Sequence, residues 1–190
     1  MFKKALVLLI VTGLLAGFAK SGFALFTSSA TIGANTFTTG TVELTTNPTT
    51  ALVVFSNMAP GDQVTAPVVV TNNGSLELRY AITATATNPD SKNLMSQLAL
   101  TIKSGVTTCT NAGFTGDGTQ LYTGALGSLA GINVVGDPTT GAQSGDRNLA
   151  ASANETLCFN VTLPLATGNA YQNATTTATF TFAAEQTINN

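Results

Sequence analysis

The side chains able to do chemistry in this chain are nine carboxylates and two cysteines, with no histidine. Without histidine there is no Ser-His-Asp or Cys-His pairing, no zinc site built on two histidines, and no imidazole acid–base step. The carboxylates are scattered. Asp117, Asp137 and Asp146 lie in glycine-rich stretches but lack the spacing of a calcium loop, so they read as turn formers. A weak calcium site on them is the alternative. No glycine-rich phosphate loop precedes a helix. Cys109 and Cys158 lack a CxxC spacing and have no histidine to act as base. In an exported chain their expected role is one structural disulfide; a redox or nucleophilic thiol is the alternative. Closing a loop of that length contributes about 4 kcal/mol by chain entropy. No catalytic residue, metal or cofactor is expected.

The segments that position these residues alternate with period two. Leu78, Tyr80, Ile82, Ala84 and Ala86 share one face, while Glu77, Arg79, Thr83 and Thr85 share the other. Leu157, Phe159, Val161 and Leu163 alternate with Cys158, Asn160 and Thr162, and Ala178, Phe180, Phe182 and Ala184 alternate with threonines. These are half-buried strands. Shorter strands are expected at Thr41–Thr45, Leu52–Phe55, Gln63–Thr71, Leu98–Lys103, Thr119–Leu121 and Ile132–Val135. Pro60-Gly61 suits a type II turn, and Asn73-Gly74 a tight hairpin or short loop. One short helix is expected near residues 90–98, with Asp90 or Ser91 as its N-cap and Leu94, Met95 and Leu98 at helical spacing. Thr107–Ala153 reads as the largest loop region, pinned by the disulfide. The sum is an all-β, two-sheet antiparallel sandwich.

The N-terminus bears on location. Lys3 and Lys4 precede an apolar run from Ala5 to Phe18, and Gly22 and Ala24 form a small-x-small end. This is the layout of a secretory signal peptide over residues 1–24, cut between Ala24 and Leu25. The run is shorter than the ~20 residues that span a bilayer; an uncleaved anchor is the alternative. Residues 25–190 then form one domain. The mature part keeps Arg79, Lys92, Lys103 and Arg147 against nine acidic residues, a net charge of −5. Nucleic acid is excluded as an expected partner, because it needs a basic patch. Low charge and abundant threonine suit an extracellular β-protein. Sequons at Asn73, Asn154, Asn160 and Asn173 matter only in a host that glycosylates exported proteins.

Right after the expected cleavage site, Phe26, Ala30, Ile32 and Ala34 share a face with Ser28, and Thr27, Ser29, Thr31, Gly33 and Asn35 share the other. This is a one-sided strand, about 33 Å long over ten residues. It could pair in its own domain as an edge strand, or add to a neighbour's sheet.

Four blocks carry a resemblance. Ala24-Leu25-Phe26-Thr27-Ser28-Ser29-Ala30 is followed by Asn35-Thr36-Phe37-Thr38-Thr39-Gly40-Thr41-Val42-Glu43-Leu44. Then come Phe55-Ser56-Asn57-Met58-Ala59-Pro60-Gly61-Asp62 and Val70-Thr71-Asn72-Asn73-Gly74-Ser75-Leu76. This resembles the TasA/camelysin family of exported bacterial proteins, over about residues 1–87. The resemblance implies a jelly-roll-like sandwich, processing by a SipW-type signal peptidase, and a role as a biofilm-matrix fibre subunit on or near the cell surface. It implies head-to-tail self-assembly through a donated N-terminal strand, residues 25–35, with Phe26, Ala30, Ile32 and Ala34 as anchors, and contact with other matrix proteins. Camelysin carries a metallopeptidase label, but no histidine here matches a familiar zinc site. The rival readings are a monomeric cell-surface binding module and a camelysin-like metallopeptidase.

Overall fold

A computed structural model describes residues 36–50 and 57–188. By its contacts the chain divides into two units, Met1–Thr38 and Thr39–Asn190. Of the first, residues 36–38 are described; they are exposed and irregular. The expected signal peptide, the cleavage pair Ala24 and Leu25, the anchors Phe26, Ala30, Ile32 and Ala34, and the expected strand at 52–55 lie outside the described residues.

The second unit is almost entirely β. Its strands are β1 (Leu44–Asn47), β2 (Gln63–Asn72), β3 (Leu78–Ala86), β4 (Ala99–Ser104), β5 (Thr119–Ala125), β6 (Ile132–Val135), β7 (Arg147–Leu149), β8 (Asn154–Thr162) and β9 (Ala178–Gln186). All strand pairs are antiparallel. Sheet A has the order β1-β2-β8-β4-β5, and sheet B centres on β3. On one side β3 pairs with β9 over its full length, from Leu78↔Gln186 to Ala86↔Ala178. On the other it pairs first with β7 and then with β6. β6 and β7 are thus one edge strand interrupted by the excursion 136–146.

With β6 and β7 taken as one strand, the winding is that of a jelly roll with one change. In an eight-stranded jelly roll the first strand lies beside the last. Here β1 pairs with β2 in sheet A instead. Among the described residues, β9 therefore has a strand neighbour on one side only.

The core lies between the sheets. Val68 and Val70 of β2, Leu100 and Ile102 of β4, and Leu157 and Phe159 of β8 meet Leu78, Tyr80, Ile82 and Ala84 of β3. The period-two reading holds for these inward faces, because alternate residues of a pleated strand point the same way. It fails for the outer face of β3: Leu78 to Ile82 are all buried. Arg79 was expected on a solvent face but is only 6% exposed, since the excursion 136–146 folds over it.

The expected short helix is a correction. Only Leu94–Ser96 is helical, as a single 3-10 turn, and its N-cap is Asn93 in the left-handed region rather than Asp90 or Ser91. Asn88 Oδ1 takes the Asn93 N–H, while Asp90 takes N–H bonds from Lys92 and from Thr175 across the loop. Side-chain bonding to nearby backbone competes with helix propagation. Leu94 and Met95 still pack inward, which is what gave the helical spacing. The short β7 was not anticipated; three residues carry too little pattern.

The turns follow their sequences. Gly61 has φ +98°, and the Asp62 N–H closes the turn on the Ala59 carbonyl at 2.9 Å. Asn73-Gly74 forms the short connection that carries the chain from sheet A to sheet B. There Gly74 is held so close to the incoming segment that a Cβ would sit 2.3 Å from the Thr41 carbonyl oxygen.

Candidate assembly surface

Four features define the site: the side of β9 that has no strand neighbour among the described residues from Ala178 to Ala184, the groove beneath it, the point where the N-terminal segment enters, and the placement of titratable groups.

β9 reads Ala178-Thr179-Phe180-Thr181-Phe182-Ala183-Ala184-Glu185-Gln186. Phe180 leans on Phe159 of sheet A in an edge contact at 5.1 Å between centroids, and Phe182 lies 6.2 Å from Tyr80. These rings tie the inner face of β9 to the core. From Ala178 to Ala184 the strand carries no charge and no proline, the usual devices that keep an edge from pairing. Beside it runs a groove of about 620 Å³ between the sheets. Val64 and Val68 of β2, Val161 of β8, Leu126, and the two β9 phenylalanines line it; Thr46, Pro48 and Thr176–Thr179 form its rim. The opposite flank is closed, because β5 and β6 pack against each other there.

The N-terminal segment enters at a fixed corner. Thr41 N–H donates to Ser75 Oγ at 2.9 Å, the Ser75 and Leu76 N–H groups donate to the Thr41 carbonyl, and Asn73 N–H donates to the Glu43 carbonyl. Behind this corner sits Asn72, fully buried. Its Nδ2 donates to the carbonyls of Leu76, Leu149 and Ala150 at 2.8 to 3.1 Å, and its Oδ1 accepts the Gly74 N–H. Asn72 thus clamps the end of sheet A to β7 of sheet B. The sequence marks Asn73-Gly74 as a turn and gives Asn72 no role; its place two residues beyond Val70, on the same inward face, is the signal that could have found it.

Cys109 and Cys158 form the disulfide, with Cα atoms 5.6 Å apart. It fastens the excursion 105–118 onto the outer face of sheet A. Lys103 Nζ donates to the Phe114 and Asp117 carbonyls and sits 4.7 Å from the centre of the Phe114 ring, while Asn111 reaches the Gln63 carbonyl. Asn160, one of the four sequons, is buried on this face and bonds Gln63 and Thr65.

The three candidate calcium aspartates are not brought together. Asp117 lies in the disulfide excursion, where the Thr107 side chain and then its N–H, shared by both carboxyl oxygens, hold the carboxyl below the usual range. Asp137 and Asp146 share the other excursion. Asp137 accepts the Thr139 N–H, which lowers its pKa, and Asp146 accepts the N–H groups of Asp137 and Gln143. Each carboxylate accepts main-chain N–H bonds of the excursion it lies in, which is the turn-forming role. Glu155 joins the sheets by accepting the Tyr80 hydroxyl at 2.6 Å and the Arg147 guanidinium at 2.6 Å. Burial, reinforced by the bond to Glu155, pushes the Tyr80 hydroxyl well above its ordinary pKa. Glu185 pairs with Arg79 at 2.5 Å and takes the Gly141 N–H, holding the 136–146 excursion down.

The fold is thus that of a jelly-roll-like β-sandwich in which, among the described residues, no strand pairs with the outer side of Ala178–Ala184 beside an apolar groove. A family model described as camelysin metallo-endopeptidase matches residues 1–190, and the chain belongs to that family, the TasA/camelysin family. A search of curated proteins finds no match. The family description implies a metal, and the residues do not fit one. All nine carboxylates and both cysteines lie among the described residues, the cysteines are joined to each other, and no three potential ligands gather. Zinc sites in enzymes are built from three converging protein ligands, histidine chief among them; this chain presents no such set.

Proposed function

We propose that this protein is a non-enzymatic structural subunit of an extracellular fibre or biofilm matrix. Each subunit donates its mature N-terminal strand, Leu25–Asn35, to the next. The observation that carries this reading is the stretch Ala178–Ala184 of β9, which among the described residues has no strand on its outer side over the apolar groove, at the position where a complete jelly roll has its first strand. A strand added there gains main-chain hydrogen bonds and buries its apolar side chains at about 1.5–3 kcal/mol for each large one. Phe26, Ala30, Ile32 and Ala34 supply such a one-sided face, and about 33 Å of strand is long enough to run the roughly 23 Å of Ala178–Ala184. The chain enters the sandwich at the pinned Thr41 corner, so the donor leaves from a defined point. Head-to-tail donation does not close on itself and yields an open filament. Cleavage after Ala24 by a SipW-type signal peptidase frees the donor, and other matrix proteins are further partners. The metallopeptidase alternative is disfavoured by the donor set.

The test is deletion of Leu25–Asn35 from the secreted protein, read by negative-stain microscopy and sedimentation. The truncated protein should be monomeric, and Ile32→Asp should weaken assembly by placing a charge in an apolar groove. Filaments formed by the truncated protein, or a mature protein that stays monomeric at high concentration, would replace this reading with that of a monomeric surface module.

A further inference from the structure

The outer face of sheet B is covered over one half and bare over the other. The excursion 136–146 lies over Arg79 and Ala81 of β3 and Ala183 of β9. Beyond it, two strands present threonines in register: Thr83 beside Thr181, and Thr85 beside Thr179. A third pair continues the array past the strand ends, where Thr177 N–H donates to Thr87 Oγ1 at 2.9 Å. Thr83 is half-buried and the other five are exposed. No charged residue occurs from Ile82 to Thr87 or from Thr176 to Phe182. Leu129, 67% exposed, stands next to Ser128, which bridges Thr85 on the far side of β3.

We propose that this threonine array is a lateral contact surface between copies of this chain in neighbouring filaments. The inference rests on the fibre reading above. Charge singles out the partner. The mature chain carries a net charge of −5, so copies repel one another except where charge is absent, as it is across these rows. The face has no aromatic ring on which a sugar could stack and no cation for an acidic polymer. A threonine face offers methyls to pack and hydroxyls to pair, and opposed threonines do both. Size decides how it acts. Three rows on two strands cover on the order of 200 Å². A stable pair needs about 800 Å² on each partner. One array therefore cannot dimerise free subunits, whereas a filament that repeats it at every subunit sums many weak contacts. The array also adjoins the proposed acceptor site, since Thr177 and Thr179 stand on the groove rim.

The experiment compares the full mature protein with Thr83→Lys/Thr85→Lys and Thr83→Glu/Thr85→Glu variants, both positions on β3 away from the groove, by low-speed sedimentation and negative-stain microscopy. Wild-type filaments should bundle and pellet. Either variant should form filaments of ordinary length that stay single, with the pelleted fraction several-fold lower and partly restored by high salt. Mixing preformed Lys and Glu filaments should bring bundles back, an outcome that a merely misfolded variant cannot give. Bundles unchanged in both variants, or wild-type filaments that never associate, overturn the lateral surface and leave strand donation standing. Absence of filaments in the wild type overturns strand donation, and this inference with it.

Discussion

The two sheets are finished in different ways. Sheet A is five strands wide, and a disulfide fastens the excursion 105–118 to its centre strand. Among the described residues sheet B is narrower, one of its edges is broken into β6 and β7, and no strand pairs with the outer side of Ala178–Ala184. Its covering excursion is held by an ion pair and hydrogen bonds instead of a covalent link. The contrast separates two tasks. Sheet A holds the subunit together when nothing is bound to it. Under the proposed assembly, sheet B is the one that would offer edge and face to other copies; among the described residues it has fewer strands than sheet A.

The largest expected effect on a single subunit comes from breaking sheet A's covalent tie. Cys109→Ser should lower stability by about 4 kcal/mol through the loss of loop closure. Thermal melting should show this, while filaments still form below the new melting temperature, because the groove lies between β9 and β1, away from the tie. Loss of filaments with little loss of stability would contradict the division of tasks.

Next comes the fastening of sheet B. Glu185→Gln leaves the Arg79 guanidinium buried without its counter-charge, and Arg79 Nη2 already has no hydrogen-bond partner. Breaking a buried pair from one side costs about 3 kcal/mol, the low figure applying because Glu185 is partly solvated. Hydrogen exchange should quicken in 136–146 and leave 105–118 unchanged.

Asn72→Ala removes the clamp between the sheets. It strands the Leu76, Leu149 and Ala150 carbonyls and should cost about 2 kcal/mol. Chemical denaturation would measure the loss, and Asn72→Asp should not rescue it, since a carboxylate cannot donate to those carbonyls.

The smallest effect is that of pH, and it falls on both excursions and the 88–92 loop. Asp90, Asp117 and Asp137 are held below their ordinary range, chiefly by hydrogen bonds from Lys92, Thr107 and Thr139 respectively. A carboxyl with a lowered folded pKa contributes stability above its unfolded value, about 3.9, and loses it as pH falls through the folded one. The melting temperature should therefore be level from neutral pH down to about 4 and decline below. At the other end, Tyr80 is raised, so its contribution is whole below about pH 10 and fades above it as the unfolded chain ionises. A melting temperature that falls between pH 7 and pH 5 would contradict this assignment.

Much of this molecule is written locally. Alternation of apolar and polar residues, which depends only on strand geometry, marked β2, β3, β4, β8 and β9 and their inward faces. Pro60-Gly61 specified its turn because only glycine adopts that φ without cost. The missing histidine removed most catalytic chemistry before any fold was drawn. What the local pattern could not settle was set by contacts distant in sequence. Ser91–Gln97 has helical spacing, yet loop bonds to Asn88 and Asp90 reduce it to one turn. Arg79 alternates as a solvent residue, yet an excursion about 60 residues later buries it against Glu185. The threonines of β3 and β9 form an array only because antiparallel pairing brings Thr83 to Thr181 and Thr85 to Thr179. The decision that bears most on function is of the same kind. Nothing in β1 or β9 states which sheet β1 joins. Its pairing with β2 beside the Asn72 corner places it in sheet A, and among the described residues no strand then lies on the outer side of Ala178–Ala184 over the groove.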